Sequence, residues 1–253
     1  HNPELFWQLK ESVRGLAEAC EVFGTPVTGG NVSLYNQNPA GAIDPTPTVG
    51  MVGLVEKPEH ITSQWFKDEG DAIILLGQAL DSADPLLGLG GSALLQVEHS
   101  RKEGTPPPCD LAKEKILHDT LLGLIEPGVV KSAHDCAEGG LAVAAAECAI
   151  SELTARQTPR LTGAEVDLSE VGSDRVDALL FGEAHGRVII TTSEAEAGAA
   201  MERAKLLGVP AQRIGTVTAG ETLDIGVGDS SFSWKLSDLH DVWWNTIARA
   251  MDQ

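Results

Sequence analysis

From Asp71 to the end of the chain, short apolar runs closed by glycine or polar turn residues alternate with stretches of helical spacing, and this alternation restricts the fold most. Residues 71–77 (DAIILLG) are the clearest case. The run is short, apolar and ended by Gly77, which predicts a buried strand. Further strands are predicted at 129–133, 164–168, 187–192, 213–218 and 222–227, with helices at 111–125, 140–150, 194–207 and 236–251. The stretch 80–109 is rich in Gly, Pro and Asp and reads mostly as loop. Strands and helices mixed in this order, without a strict repeat, favour an α+β (mixed α/β) domain with helices packed on one face of a sheet.

The residues before this region read differently. Asn2 and Pro3 suit an N-cap and first helical position, and Leu5, Leu9, Val13, Leu16 and Cys20 recur at helical spacing until Gly24. Two β-rich stretches follow, 26–36 and 47–56, separated by the turn-forming residues 37–45. The polar segment 57–70, with a short amphipathic piece around Trp65 and Phe66, leads into the second domain. We therefore expect a partial β-rich domain over 1–66 and an α/β domain over 67–253. A chain that opens inside a helix is expected to be the remainder of a longer one.

Charge narrows the function classes. The formal net charge is -19 and the pI about 4.6, so the overall field repels phosphate backbones. The 18 basic residues are scattered and do not interleave with aromatics, so no nucleic-acid partner is expected. Cys20, Cys109, Cys136 and Cys148 form neither a C-x-x-C pair nor a dense framework, which points to a reducing compartment. No apolar run approaches the roughly 20 residues that span a bilayer, and no membrane partner is expected.

Four motifs carry possible chemistry. In Gly29-Gly30-Asn31-Val32-Ser33-Leu34-Tyr35-Asn36, the glycines allow close backbone approach and the Asn31 amide oxygen is a hard donor suited to magnesium. The Ser33 hydroxyl can bond a substrate oxygen, and strand alternation would turn Asn31, Ser33 and Tyr35 to one face. The same letters also make an ordinary turn. In SAHDCAEGG (132–140), Asp135 ends a strand and Gly139 and Gly140 open a helix, which sets a magnesium ligand beside an anion-attracting N-terminus. Equally, Asp135 and Glu138 can simply cap that helix. GLGGSA (88–93) matches a dinucleotide fingerprint in letters but does not directly follow a strand. In LFGEAHGR (180–187), Glu183 and Arg187 either face a ligand or pair with each other. His134 and His185 are candidate general bases by type, and histidines of this kind are commonly structural.

GGNVSLYN, PTPTVG at 45–50, LGLGGSALL, AHDCAEGGLAVAAAE and LFGEAHGR occur in that order, and with them the chain resembles the second half of the phosphoribosylformylglycinamidine synthase family. The resemblance covers essentially the whole chain and is strongest to the stand-alone synthetase subunit. It implies an aminoimidazole-ribonucleotide-synthetase-like unit, a small β-rich domain followed by a larger α/β domain. The implied role is in purine biosynthesis: an ATP- and Mg2+-dependent ligase that turns formylglycinamide ribonucleotide and ammonia into formylglycinamidine ribonucleotide through an iminophosphate. By position, the resemblance assigns ATP contact to Gly30, magnesium ligation to Asn31 and substrate contact to Ser33. It assigns an auxiliary magnesium and nucleotide site to Asp135, Gly139 and Gly140, and no catalytic role to His185. The catalytic histidine is expected in a first half that this sequence does not contain. Implied partners are that first half, a glutaminase subunit and a small bridging subunit, in the cytoplasm. Two other readings remain: another synthetase or kinase of the same superfamily, or a non-catalytic nucleotide-binding module.

Overall fold

A computed structural model of the chain describes residues 3–32, 37–39, 41–155, 158–171 and 175–252. It divides into two compact units, His1–Val55 and Glu56–Gln253.

In the first unit, helix α1 (Pro3–Phe23) follows the predicted spacing, and its last turn closes where Gly24 takes a φ of 65° and Thr25 N–H bonds Cys20 O at 3.0 Å. Asn2 lies outside the described residues. Arg14 bridges Glu11 at 2.7 Å and Glu18 at 3.3 Å on the solvent side. The two predicted strands are not found among the described residues of 26–36 and 47–55. Instead β1 (Gln37–Asn38) and β2 (Gly41–Ala42) form a minimal antiparallel ladder inside the expected turn. Val49, Met51, Val52 and Leu54 are all exposed. β-propensity alone does not make a strand: a ladder of this size needs further strands or a helix to cover its apolar face.

The second unit is built on a seven-stranded sheet. Its strands are β3 (Ala72–Leu76), β4 (Ser132–Asp135), β7 (Gly163–Asp167), β8 (Val188–Thr192), β9 (Ala211–Thr218), β10 (Thr222–Val227) and β11 (Ser230–Lys235). A separate hairpin joins β5 (Glu152–Ala155) to β6 (Thr158–Arg160). The order across the sheet is β11-β10-β7-β9-β3-β8-β4, antiparallel except for the β7–β10 pair. The helices are α2 (Ala93–His99), α3 (Leu111–Ile125), α4 (Gly140–Ile150), α5 (Val176–Phe181), α6 (Glu194–Leu206) and α7 (Leu236–Met251).

Strand β3 is buried at every position, and its alternation feeds two cores. Ile73 and Leu75 pack with Leu141, Leu179 and Leu236 of α4, α5 and α7, while Ala72, Ile74 and Leu76 pack with Leu117 and Leu124 of α3 and Ala200 and Ala204 of α6. Helices therefore cover both faces, not the one face expected from sequence. A strand apolar at consecutive positions needs cover on both sides.

The two compact units divide after Val55, so residues 56–66, expected with the first domain, fall within the second unit. Phe66 is fully buried in the α4-side core and its N–H bonds Cys148 O at 2.9 Å, while Ser63 bridges Ser132 beside the sheet edge. Lys131 adds ion pairs to Asp68 at 2.8 Å and Asp71 at 2.6 Å. Residues 56–66 thus belong energetically to the second unit. Among the described residues no helix is long and apolar enough to cross a membrane.

Candidate functional site

Three of the glycine motifs meet at one end of the sheet. Strand β4 ends at Asp135, the chain turns through 136–139, and α4 starts at Gly140 with a φ of 69°. A Cβ on Gly140 would lie 2.7 Å from Gly182 O, and one on Gly88 would lie 2.8 Å from Glu183 N. Backbone from residues 88, 140 and 182–183 is therefore in direct contact, which only glycine permits. Glu183 fastens the assembly: its Oε1 accepts the N–H of Gly139 at 2.9 Å and the N–H of Ala93, at the start of α2, at 2.8 Å. Arg187 is buried and donates to the carbonyls of Ala184 and Ala79, each at 3.2 Å, and of Gly182. Burial lowers its pKa from the ordinary value, and the neighbouring Glu183 carboxylate opposes that shift. Glu183 and Arg187 thus hold backbone.

The first two amides at the start of α4, those of Gly139 and Gly140, are committed. Gly139 N–H goes to Glu183 and Gly140 N–H to Ala137 O at 3.1 Å. What remains open is Asp135, whose side chain is 73% exposed. Behind it His134 sets Nδ1 3.4 Å from Asp135 Oδ1 and Nε2 2.8 Å from Glu147 Oε2, and Glu147 Oε1 accepts the Trp243 indole N–H at 3.2 Å. His134 is tied into a chain that runs from the exposed carboxylate to α7. Beside it, burial pushes the Cys136 thiol up to about 11, so it stays protonated and inert at neutral pH.

Gly30 and Asn31 lie in the first unit, in exposed irregular chain, with Gly30 at a φ of 154° and open space where a Cβ would be. The Asn31 side chain is open to solvent and not turned into an apolar interior. Ser33 and Tyr35 lie outside the described residues.

A cleft of about 190 Å³ opens on the other side of the 182–187 turn, lined by Gly77, Gln78, Asp81, Lys113, Glu114 and His185 among others. Cys109, Glu114 and His185 bring one ligand atom each within 4.8 Å of one another there. Sequence reading gave this group no role. Cys109 and Glu114 are five residues apart, but His185 lies 71 residues beyond Glu114, and no local pattern joins the three.

These features define a class: an α+β protein with a mixed, helix-covered sheet, in which glycine turns converge beside an exposed carboxylate at a strand end. The chain belongs to the AIR synthase related protein family: that family's C-terminal domain matches residues 68–228 and its N-terminal domain matches residues 1–55. It is 41% identical over 247 residues to the phosphoribosylformylglycinamidine synthase subunit PurL of Anaeromyxobacter dehalogenans, covering 97% of this chain and 31% of that protein. The chain thus spans about a third of that relative's length. Among solved structures, T. maritima PurL complexed with FGAR is similar at a TM-score of 0.59 and 20% identity, over 72% of this chain and 30% of that one. T. maritima PurL complexed with ATP is similar at a TM-score of 0.54 and 20% identity, over 72% and 28%. At that identity the likeness is one of fold.

Proposed function

We propose that the chain forms part of the ATP-dependent ligase that converts formylglycinamide ribonucleotide and ammonia to formylglycinamidine ribonucleotide in purine biosynthesis. The observation that carries this is 41% identity across 97% of the chain to a protein named as that synthase's subunit. An amide oxygen is a poor leaving group, so the substrate oxygen first takes the γ-phosphoryl group of ATP and ADP departs. Ammonia then adds at the same carbon, and phosphate leaves with that oxygen.

In this reading Gly30 approaches ATP through its backbone, Asn31 offers an oxygen to magnesium, and Ser33 contacts the ribonucleotide. Asp135 serves an auxiliary magnesium and nucleotide site, with Gly139 and Gly140 shaping it. The open Asn31 amide and Asp135 carboxylate are hard oxygen donors, and they fit this ion. Bound magnesium would supply charge neutralisation for the phosphates. With the Gly139 and Gly140 amides engaged, Asp135 is the side chain on which this reading rests magnesium, and nucleotide with it, at the auxiliary site. The ammonia source is a glutaminase subunit, joined through a small bridging subunit, and the remaining catalytic groups, a histidine among them, come from the partner first half. The setting is the cytoplasm.

Thermal unfolding with Mg-ADP is the test. At about 100 times its Kd the ligand adds about 2.7 kcal/mol of stability. That gain is expected in the parent chain and diminished in Asp135→Ala. An undiminished gain in the variant overturns the role of Asp135. The purified chain alone is expected to form no amidine; ATP-dependent amidine formation by it would refute the proposed division of catalytic groups.

A further inference from the structure

We propose that Cys109, Glu114 and His185 form a binding site for a borderline divalent cation of the zinc type, on the cleft side of the sheet. The site is separate from Asp135 and owes nothing to the ligase reading. The donors are one thiol, one carboxylate and one imidazole, all within 4.8 Å of one another, and no other such group of three occurs among the described residues. Zinc takes sulfur at about 2.3 Å and nitrogen or oxygen at about 2.0–2.2 Å, which sets tetrahedral ligands roughly 3.3–3.8 Å apart. The donors stand within an outer limit of 4.8 Å, so seating the ion requires the side chains to rotate inward.

The fold holds two of the donors in place. Glu114 projects from the first turn of α3, which is capped by Asp110 through the N–H groups of Ala112 and Lys113 at 3.1 and 3.2 Å. His185 sits on a turn clamped from both ends. On one side Gly77 lies so close that a Cβ there would be 1.9 Å from Gly186 O, and on the other Arg187 bonds carbonyls of residues 79, 182 and 184. Gly186 makes room for the carboxylate: with a φ of 68°, its absent Cβ would stand 3.0 Å from Glu114 Oε1. The other carboxylate oxygen, Oε2, lies 4.0 Å from His118 Nε2. A fourth ligand position would face the cleft, where water can fill it. Binding a cation would displace the thiol proton to solvent and tie the start of α3 to the turn before β8.

The experiment uses the 253-residue chain, reduced and metal-free, titrated with Co2+ and then Zn2+ with no nucleotide present. One equivalent of Co2+ is expected to give a thiolate charge-transfer band and tetrahedral visible bands, which Zn2+ then bleaches. Cys109→Ser should abolish the charge-transfer band. Glu114→Gln and His185→Ala should each weaken binding tenfold or more. Cys20→Ser should leave it unchanged. Zn2+ should raise the melting temperature of the parent chain and not of Cys109→Ser, while circular dichroism confirms that each variant is folded. Gly186→Ala, which crowds Glu114, should also weaken binding. A parent chain with no charge-transfer band at millimolar Co2+, or a band that persists at full affinity in His185→Ala or disappears in Cys20→Ser, overturns the site.

Discussion

Replacing Glu183 by alanine tests whether one carboxylate oxygen joins the starts of two helices. Its Oε1 accepts from Ala93 N–H and Gly139 N–H, at 2.8 and 2.9 Å. Hydrogen bonds to a charged acceptor contribute about 1.5–3 kcal/mol each, and the half-burial of Glu183 favours the low end. Glu183→Ala should therefore cost about 2–4 kcal/mol. Glu183→Gln retains an acceptor oxygen and loses only the charge, so its cost should stay near 1 kcal/mol. Urea unfolding followed by tryptophan emission resolves the two. With a slope near 2 kcal/mol per molar, the alanine variant's midpoint should fall by about 1–2 M at unchanged slope. A loss under about 1 kcal/mol in Glu183→Ala, or equal losses in both variants, would refute the bridging role.

Gly77→Ala drives a methyl to 1.9 Å from Gly186 O at a φ of 94° and should cost over about 3 kcal/mol. Gly70→Ala, at a φ of 83° with open space around it, should cost only about 1–2 kcal/mol, and equal melting temperatures for the two would contradict the steric account. Phe66→Ala should cost about 3–5 kcal/mol by calorimetry, since the ring is fully buried; a surface-like loss under 1 kcal/mol would place residues 56–66 outside the second unit's core. The Lys131 hydrogen bond and charge hold the Asp68 carboxyl below its ordinary 3.8. A depressed carboxyl binds fewer protons folded than unfolded, so its stabilisation is complete above the unfolded value and fades as pH falls through the folded one. Denaturant titrations of the parent and Asp68→Asn should differ at pH about 6 and converge toward pH about 2; a constant gap across that range would contradict the assignment.

The elements readable from sequence are those whose signal is local. Strand β3 announces itself by five apolar residues before Gly77, α3 by its helical spacing and α4 by the paired glycines that open it. What an apolar run does not state is how many layers cover it, and the expectation of helices on one face failed there. Helix α2 was hidden in a glycine-rich stretch because part of its start is stabilised from 90 residues away, by Glu183. Strand β11, SSFSWK, carries only Phe232 and Trp234 toward the core and gains its identity from pairing with β10. Asp135 was legible as a strand-end carboxylate before glycines. The engagement of the Gly139 amide by Glu183 was not, since a side chain 44 positions away leaves no local trace.

Trp243 donates its indole N–H to the same glutamate that holds His134, and His134 stands against Asp135. The molecule thereby contains its own optical probe. Any ion that captures the Asp135 carboxylate alters the field on the imidazole and, through Glu147, on a fluorophore at the far end of three side chains. Occupancy is expected to show as a shift in the Trp243 share of the emission, measured against a variant in which Trp243 is replaced by Phe, with no dye attached.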